Sequence, residues 1–167
     1  MRRRHRPEQG SNRGTSALEL GMLGPLLVTL VLMVFEVGYQ GAVAAALDYA
    51  AQRAARLGIT GAVSANGPVA SDAQRTAAIR STILNFGLGL LTDAQLTVTE
   101  SSFSSVAAAS ANSSGVTSPG SGGQVVRYDL SYAQPLLTGS FAATLLNRTQ
   151  FVHTTSLLVV NEQFPTN

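Results

Sequence analysis

The sequence predicts an α+β protein. A long N-terminal transmembrane α-helix extends into a small unit with a second helix and a three-stranded, mostly antiparallel sheet. Three observations carry this reading. Leu20 to Phe35 is a run of sixteen residues without a charge. The stretch that follows, to Gly58, is rich in alanine, free of proline and helical in its spacing. Beyond it, three segments carry strand patterns and one carries a capped amphipathic helix.

The first helix begins with the apolar run. Extended back to Thr15, it spans residues 15–35, about 31 Å at 1.5 Å per residue, which matches a bilayer core. Pro25 loosens a membrane helix without breaking it. Residues 1–14 form a basic leader with five arginines (Arg2, Arg3, Arg4, Arg6, Arg13) and one acid, Glu8. Arginines flank only that side, so the N-terminus is expected in the cytoplasm and everything after Phe35 across the membrane. Residues 36–58 continue the helix outside the membrane, with Ala46, Tyr49, Arg53 and Arg56 at helical spacing and Gly58 as its stop.

The rest, 59–167, is expected to form a small periplasmic or extracytoplasmic α+β domain. Residues 60–68 read as a loop. Ser71 and Gln74 make a capping-box pattern, and Thr76, Ile79, Ile83, Phe86 and Leu90 follow as a core stripe ended by Gly87 or Gly89. Residues 94–100 alternate as a half-buried strand. In residues 101–123 nine of twenty-three are serine. This composition predicts a flexible Ser/Ala/Gly-rich loop with no core of its own. Residues 124–132 form the clearest strand, with Val126, Tyr128, Leu130 and Tyr132 on one face. A turn of helix is expected in "PLLTGSFAATLLN", and residues 150–162 form the last strand.

Composition excludes several functions. There are no cysteines, so disulfides and thiolate chemistry are out. The net charge of +2 conceals an asymmetry: after residue 14 the chain carries six arginines and eight acids. No basic face is left for nucleic acid. Outside the leader His153 is the only histidine, too few for a typical zinc site, and it reads as structural on its strand. No phosphate loop follows a strand. The sequons at Asn112 and Asn147 are matches of a kind common by chance. No catalytic residue, metal site, cofactor or small-molecule substrate is expected, and the protein is not read as an enzyme.

Glu19 is the anomaly. A carboxylate at the head of an apolar run costs a few kcal/mol, roughly 2.5–3.5 for an Asp at a helix centre. A secretory signal with a cleavage site in "GAVAAA", near Ala45, gives Glu19 no role. Neither does a plain uncleaved anchor. In Gly14-Thr15-Ser16-Ala17-Leu18-Glu19 a basic leader precedes the glycine, and glutamate is the fifth residue after it. Gly24-Pro25-Leu26-Leu27, Glu36-Val37-Gly38-Tyr39 and "AAQRAARLG" follow. This pattern resembles the class III signal of type IV pilins and, over residues 13–58, the TadE-like family of tight-adherence pilus proteins.

The resemblance implies a minor pseudopilin-like subunit, cut by a prepilin peptidase between Gly14 and Thr15 and held in the bacterial inner membrane as a single-pass protein. Its partners are then the peptidase, pilins and other pseudopilins. In related pilins the glutamate is thought to meet the α-amine of a neighbouring subunit. Here Glu19 would meet the new amine on Thr15, and assembly would relieve the cost of both charges. Glu36, at the far helix interface, is expected to keep its carboxylate within reach of water. The competing reading is an uncleaved, single-span membrane-anchored binding or envelope protein without enzymatic activity.

Overall fold

The computed structural model describes residues 12–61, 70–111 and 115–164. The leader arginines through Arg6, most of the expected 60–68 loop and the Asn112 sequon lie outside them.

A single helix, α1 (Asn12–Thr60, 49 residues), dominates the molecule. At 1.5 Å per residue it is about 74 Å long. From Thr15 onward it is long and apolar enough to cross a membrane, and its leucines and valines up to Val37 are largely exposed. Apolar side chains bared in this way lack the cover that water would demand. Further along, Val43, Ala46, Leu47, Ala50, Ala51, Ala54 and Ala55 are buried. The small alanines let the rest of the chain come close to the helix axis.

Gly58 does not stop α1, as its type suggested. It lies inside the helix, where a Cβ would run into the Tyr128 hydroxyl. The helix ends at Gly61, which adopts φ +67° and returns its N–H to the Gly58 carbonyl at 3.2 Å. A left-handed residue just past the last turn is a common helix end, and glycine reaches that conformation at no steric cost.

The second helix, α2 (Asp72–Phe86), opens on the expected capping box: the Ser71 side chain accepts from the Gln74 N–H, and the Gln74 side chain accepts from the Ser71 N–H. It closes at Gly87. Three strands follow: β1 (Leu96–Phe103), β2 (Val125–Pro135) and β3 (Gln150–Val160). Their order is β1-β2-β3, antiparallel throughout, with Leu96 opposite Tyr132 and Val125 opposite Val160. Two short helices, α3 (Val106–Ser110) and α4 (Ser140–Leu146), fill the connections.

The core lies between the helices and one sheet face. Val126, Tyr128, Leu130 and Tyr132 of β2 pack there with Leu47, Ala50, Ile79, Ile83 and Leu96. Burying each large side chain contributes roughly 1.5–3 kcal/mol. The fold is therefore α+β with both long helices on the same side of the sheet.

The Ser/Ala/Gly-rich stretch differs from its expectation. Ser101 to Phe103 belong to β1, Ser105 caps α3, and Val116 bridges to Ser102. Pro119 is fully buried. Its carbonyl accepts from Arg75 Nη2 at 3.0 Å and Asn161 Nδ2 at 2.9 Å, and the Gly120 carbonyl accepts from Arg75 Nη1. Arg75 is itself buried and also reaches the Gly58 carbonyl. Polar staples thus supply what the composition could not supply as apolar area.

Candidate functional site

The acidic residues on the first half of α1 have opposite fates. Glu19 is exposed in the apolar stretch. It stands one turn from Thr15, and residues four apart share a helix face. The Gly14–Thr15 bond lies in the opening turns of α1.

Glu36 is buried, 1% exposed, which overturns the expectation that it reaches water. Four donors surround it. Gln40 Nε2 donates at 2.9 Å from one turn on. The Leu137 N–H donates at 3.1 Å, the Thr138 N–H at 3.0 Å and the Thr138 hydroxyl at 3.1 Å. The last three come from the turn between β2 and α4. That turn closes through the Gly139 N–H on the Leu136 carbonyl, with Gly139 at φ +57°. Two successive N–H groups aimed at one carboxylate make charge-assisted bonds, stronger than neutral ones. Burial pushes the Glu36 carboxyl upward, but the bonds from Gln40, Thr138 and Leu137 outweigh it and hold it below the usual range.

The network extends to β3. His153 Nε2 lies 2.8 Å from Gln40 Oε1. Gln40 uses its NH2 on Glu36, so its oxygen faces the imidazole and His153 Nε2 carries the proton. Burial lowers the His153 pKa and favours the neutral ring. Alongside, Gln134 Nε2 donates to the Tyr39 hydroxyl at 3.4 Å. Glu36, Gln40 and Tyr39 thus fasten α1 to both ends of the β2–α4–β3 segment where the helix leaves its apolar stretch.

Sequence reasoning named Glu36 and placed His153 on a strand face. It did not join them. The one local signal was Gln40 four residues after Glu36; the donors of residues 137 and 138 lie a hundred residues on. A third buried acid, Glu100, has a different setting. The Thr76 hydroxyl donates to one of its oxygens at 2.7 Å, while the other has no partner in the described structure. Burial raises its pKa against that bond and the nearby Arg75. Among the described residues, no group of three or more His, Asp or Glu side chains is placed to hold a metal ion.

Residues 14–56 match the family model of TadE-like proteins. Over that stretch, about a quarter of its length, the chain is similar to TadE-like proteins. The match starts at Gly14 and ends at Arg56, just past the buried alanines of α1, so it includes Glu19, Glu36 and Gln40. Among the described residues one helix, from Thr15 onward, is long and apolar enough to cross a membrane by length and composition. No curated protein and no solved structure matches the chain.

Proposed function

We propose that this chain is a minor pseudopilin-like assembly subunit of a bacterial tight-adherence (Flp-type) pilus. A prepilin peptidase cuts it after Gly14. The mature protein then sits in the inner membrane, with residues 15–35 in lipid and the α+β unit on the periplasmic side. The observation that carries this reading is the coincidence of three features at one point. The TadE-like match begins at Gly14, the basic leader ends there, and an exposed Glu19 follows one helical turn after Thr15.

The physical logic concerns two charges. Cleavage leaves an ammonium on Thr15 and a carboxylate on Glu19, both near lipid, where charges tend to pair. The helix N-terminus itself favours a nearby anion. In an array of parallel helices the Glu19 of one subunit meets the Thr15 amine of the next and fixes their axial register. The buried Glu36 clamp supports this role by holding the α+β unit to the helix, so that register is passed outward to it.

Glu19→Gln keeps the shape and makes insertion cheaper. It also leaves the Thr15 amine without its counter-ion, and breaking a buried pair costs about 3–5 kcal/mol. Cross-linking to pilins and co-pseudopilins in membranes should fall sharply while monomer abundance stays at wild-type level. Unchanged cross-links at unchanged abundance would remove Glu19 from assembly.

A further inference from the structure

Where the end of α2 meets α1, an exposed face carries a feature that neither the clamp nor the leader uses. Arg53 lies over the rings of Tyr49 and Phe86, 5.5 Å from each centroid, and the rings meet edge-on at 6.3 Å. The guanidinium is held in place by two aromatic faces, an arrangement that fixes Arg without neutralising it. Tyr49, Gln52, Arg53 and Arg56 line a dent of about 170 Å³, large enough for one side chain. Arg53 and Arg56 are exposed, and no acid lies within ion-pair distance of either among the described residues. By contrast, Arg75, Arg80 and Arg127 each have an acidic partner.

Leu88 adds an independent observation. It follows the end of α2, two residues from Phe86, with φ +55°, and is 71% exposed. A bulky residue in the left-handed region is strained, and glycine or asparagine is the usual choice there. Burial does not offset this strain, because the side chain projects into solvent. Strain of this kind tends to be kept where a side chain is used.

We infer that this face, formed by Tyr49, Arg53, Arg56, Phe86 and Leu88, is a docking surface for a partner protein segment that carries a carboxylate beside an apolar side chain. The carboxylate enters the dent between Arg53 and Arg56, where Arg forks match its geometry. The apolar neighbour covers Phe86 and Leu88. Lipid is a poor occupant. Arg53 stands eighteen residues past Phe35, about 27 Å along the helix, whereas a headgroup layer is only ~5–8 Å thick. The inference holds for a processed subunit and for an uncleaved anchor alike, so it fails or stands separately from the pilus reading.

The test uses the full chain in its native membranes, with a photoreactive residue at Gln52 or Asn85. A protein adduct is expected whose cross-linked peptide contains Asp or Glu. The double charge reversal Arg53→Glu with Arg56→Glu should reduce it about tenfold, and so should a rise in salt. Reversal at Arg148, which sits over Phe151 elsewhere, should leave it unchanged. Converting the mapped acid to Arg should restore the adduct to the double variant. Leu88→Asn should also weaken the adduct while leaving the melting temperature equal or higher. Absence of an adduct from both positions, an adduct indifferent to charge reversal, or one formed with lipid or nucleic acid would overturn the proposal. A lower melting temperature for Leu88→Asn would assign Leu88 to structure and remove it from the surface.

Discussion

Glu36 shows how one side chain can join two distant parts of a chain. Its oxygens accept from Gln40 on the same helix and from Leu137 and Thr138 across the fold. Glu36→Gln puts an NH2 group where an N–H or hydroxyl also points, so two donors meet and one loses its acceptor. The expected cost is about 1–3 kcal/mol, measured by thermal or denaturant unfolding of the full chain in detergent. The sign of the pH dependence follows from the lowered carboxyl. Its contribution is complete above the ordinary Glu value near 4.3 and fades as pH falls through the lower folded value. Wild type should therefore lose stability below about pH 4.3, and Glu36→Gln should lose less there. His153, lowered by burial, weakens the fold in the same direction from about pH 6.5 downward, so the two steps separate. Of this network the sequence shows Glu36 and Gln40 at helical spacing. The donors of residues 137 and 138 have no local signature, because a long-range bond leaves no periodicity.

At the scale of elements, periodicity was the legible part. The Ser71–Gln74 cap, the Ile79–Ile83 stripe and the alternation from Val126 to Tyr132 all lie where local rules put them. Residues whose role depends on a distant neighbour were not legible. Gly58 reads as a stop by type, yet it is the notch for Tyr128. The Ser/Ala/Gly stretch reads as a loop without a core. Its ordering lies in carbonyls that meet Arg75 and Asn161, and composition cannot show carbonyls. Replacing residues 115–123 with a short Gly-Ser linker should therefore lower stability. It removes the buried Pro119 and leaves Arg75 without two acceptors, at about 1–3 kcal/mol for each buried group unmatched. A drop of several degrees in the melting temperature is expected; an unchanged midpoint would mean that these staples contribute nothing.

At the scale of the whole molecule, the chain separates into a basic head, an apolar length of helix and a packed α+β unit whose own charge is slightly acidic. That distribution is legible from composition alone, since the positive-inside rule needs only the arginine count on each side. A phosphatase or fluorescent reporter fused after Asn167 should thus report the non-cytoplasmic side, and cytoplasmic activity would reverse the topology. The assembly role proposed for Glu19 was legible only as an unexplained cost. Its proposed partner is a second chain, and one sequence describes one subunit. The central claim is that a subunit with a new amine on Thr15 enters a pilus assembly. It is tested most directly by the N-terminal residue of the protein isolated from membranes, read by mass spectrometry. Thr15 is the expected residue, with the Gly14–Thr15 cut abolished when Gly14 is replaced by a bulky side chain. An N-terminus at Met1, or one near Ala45, would contradict it.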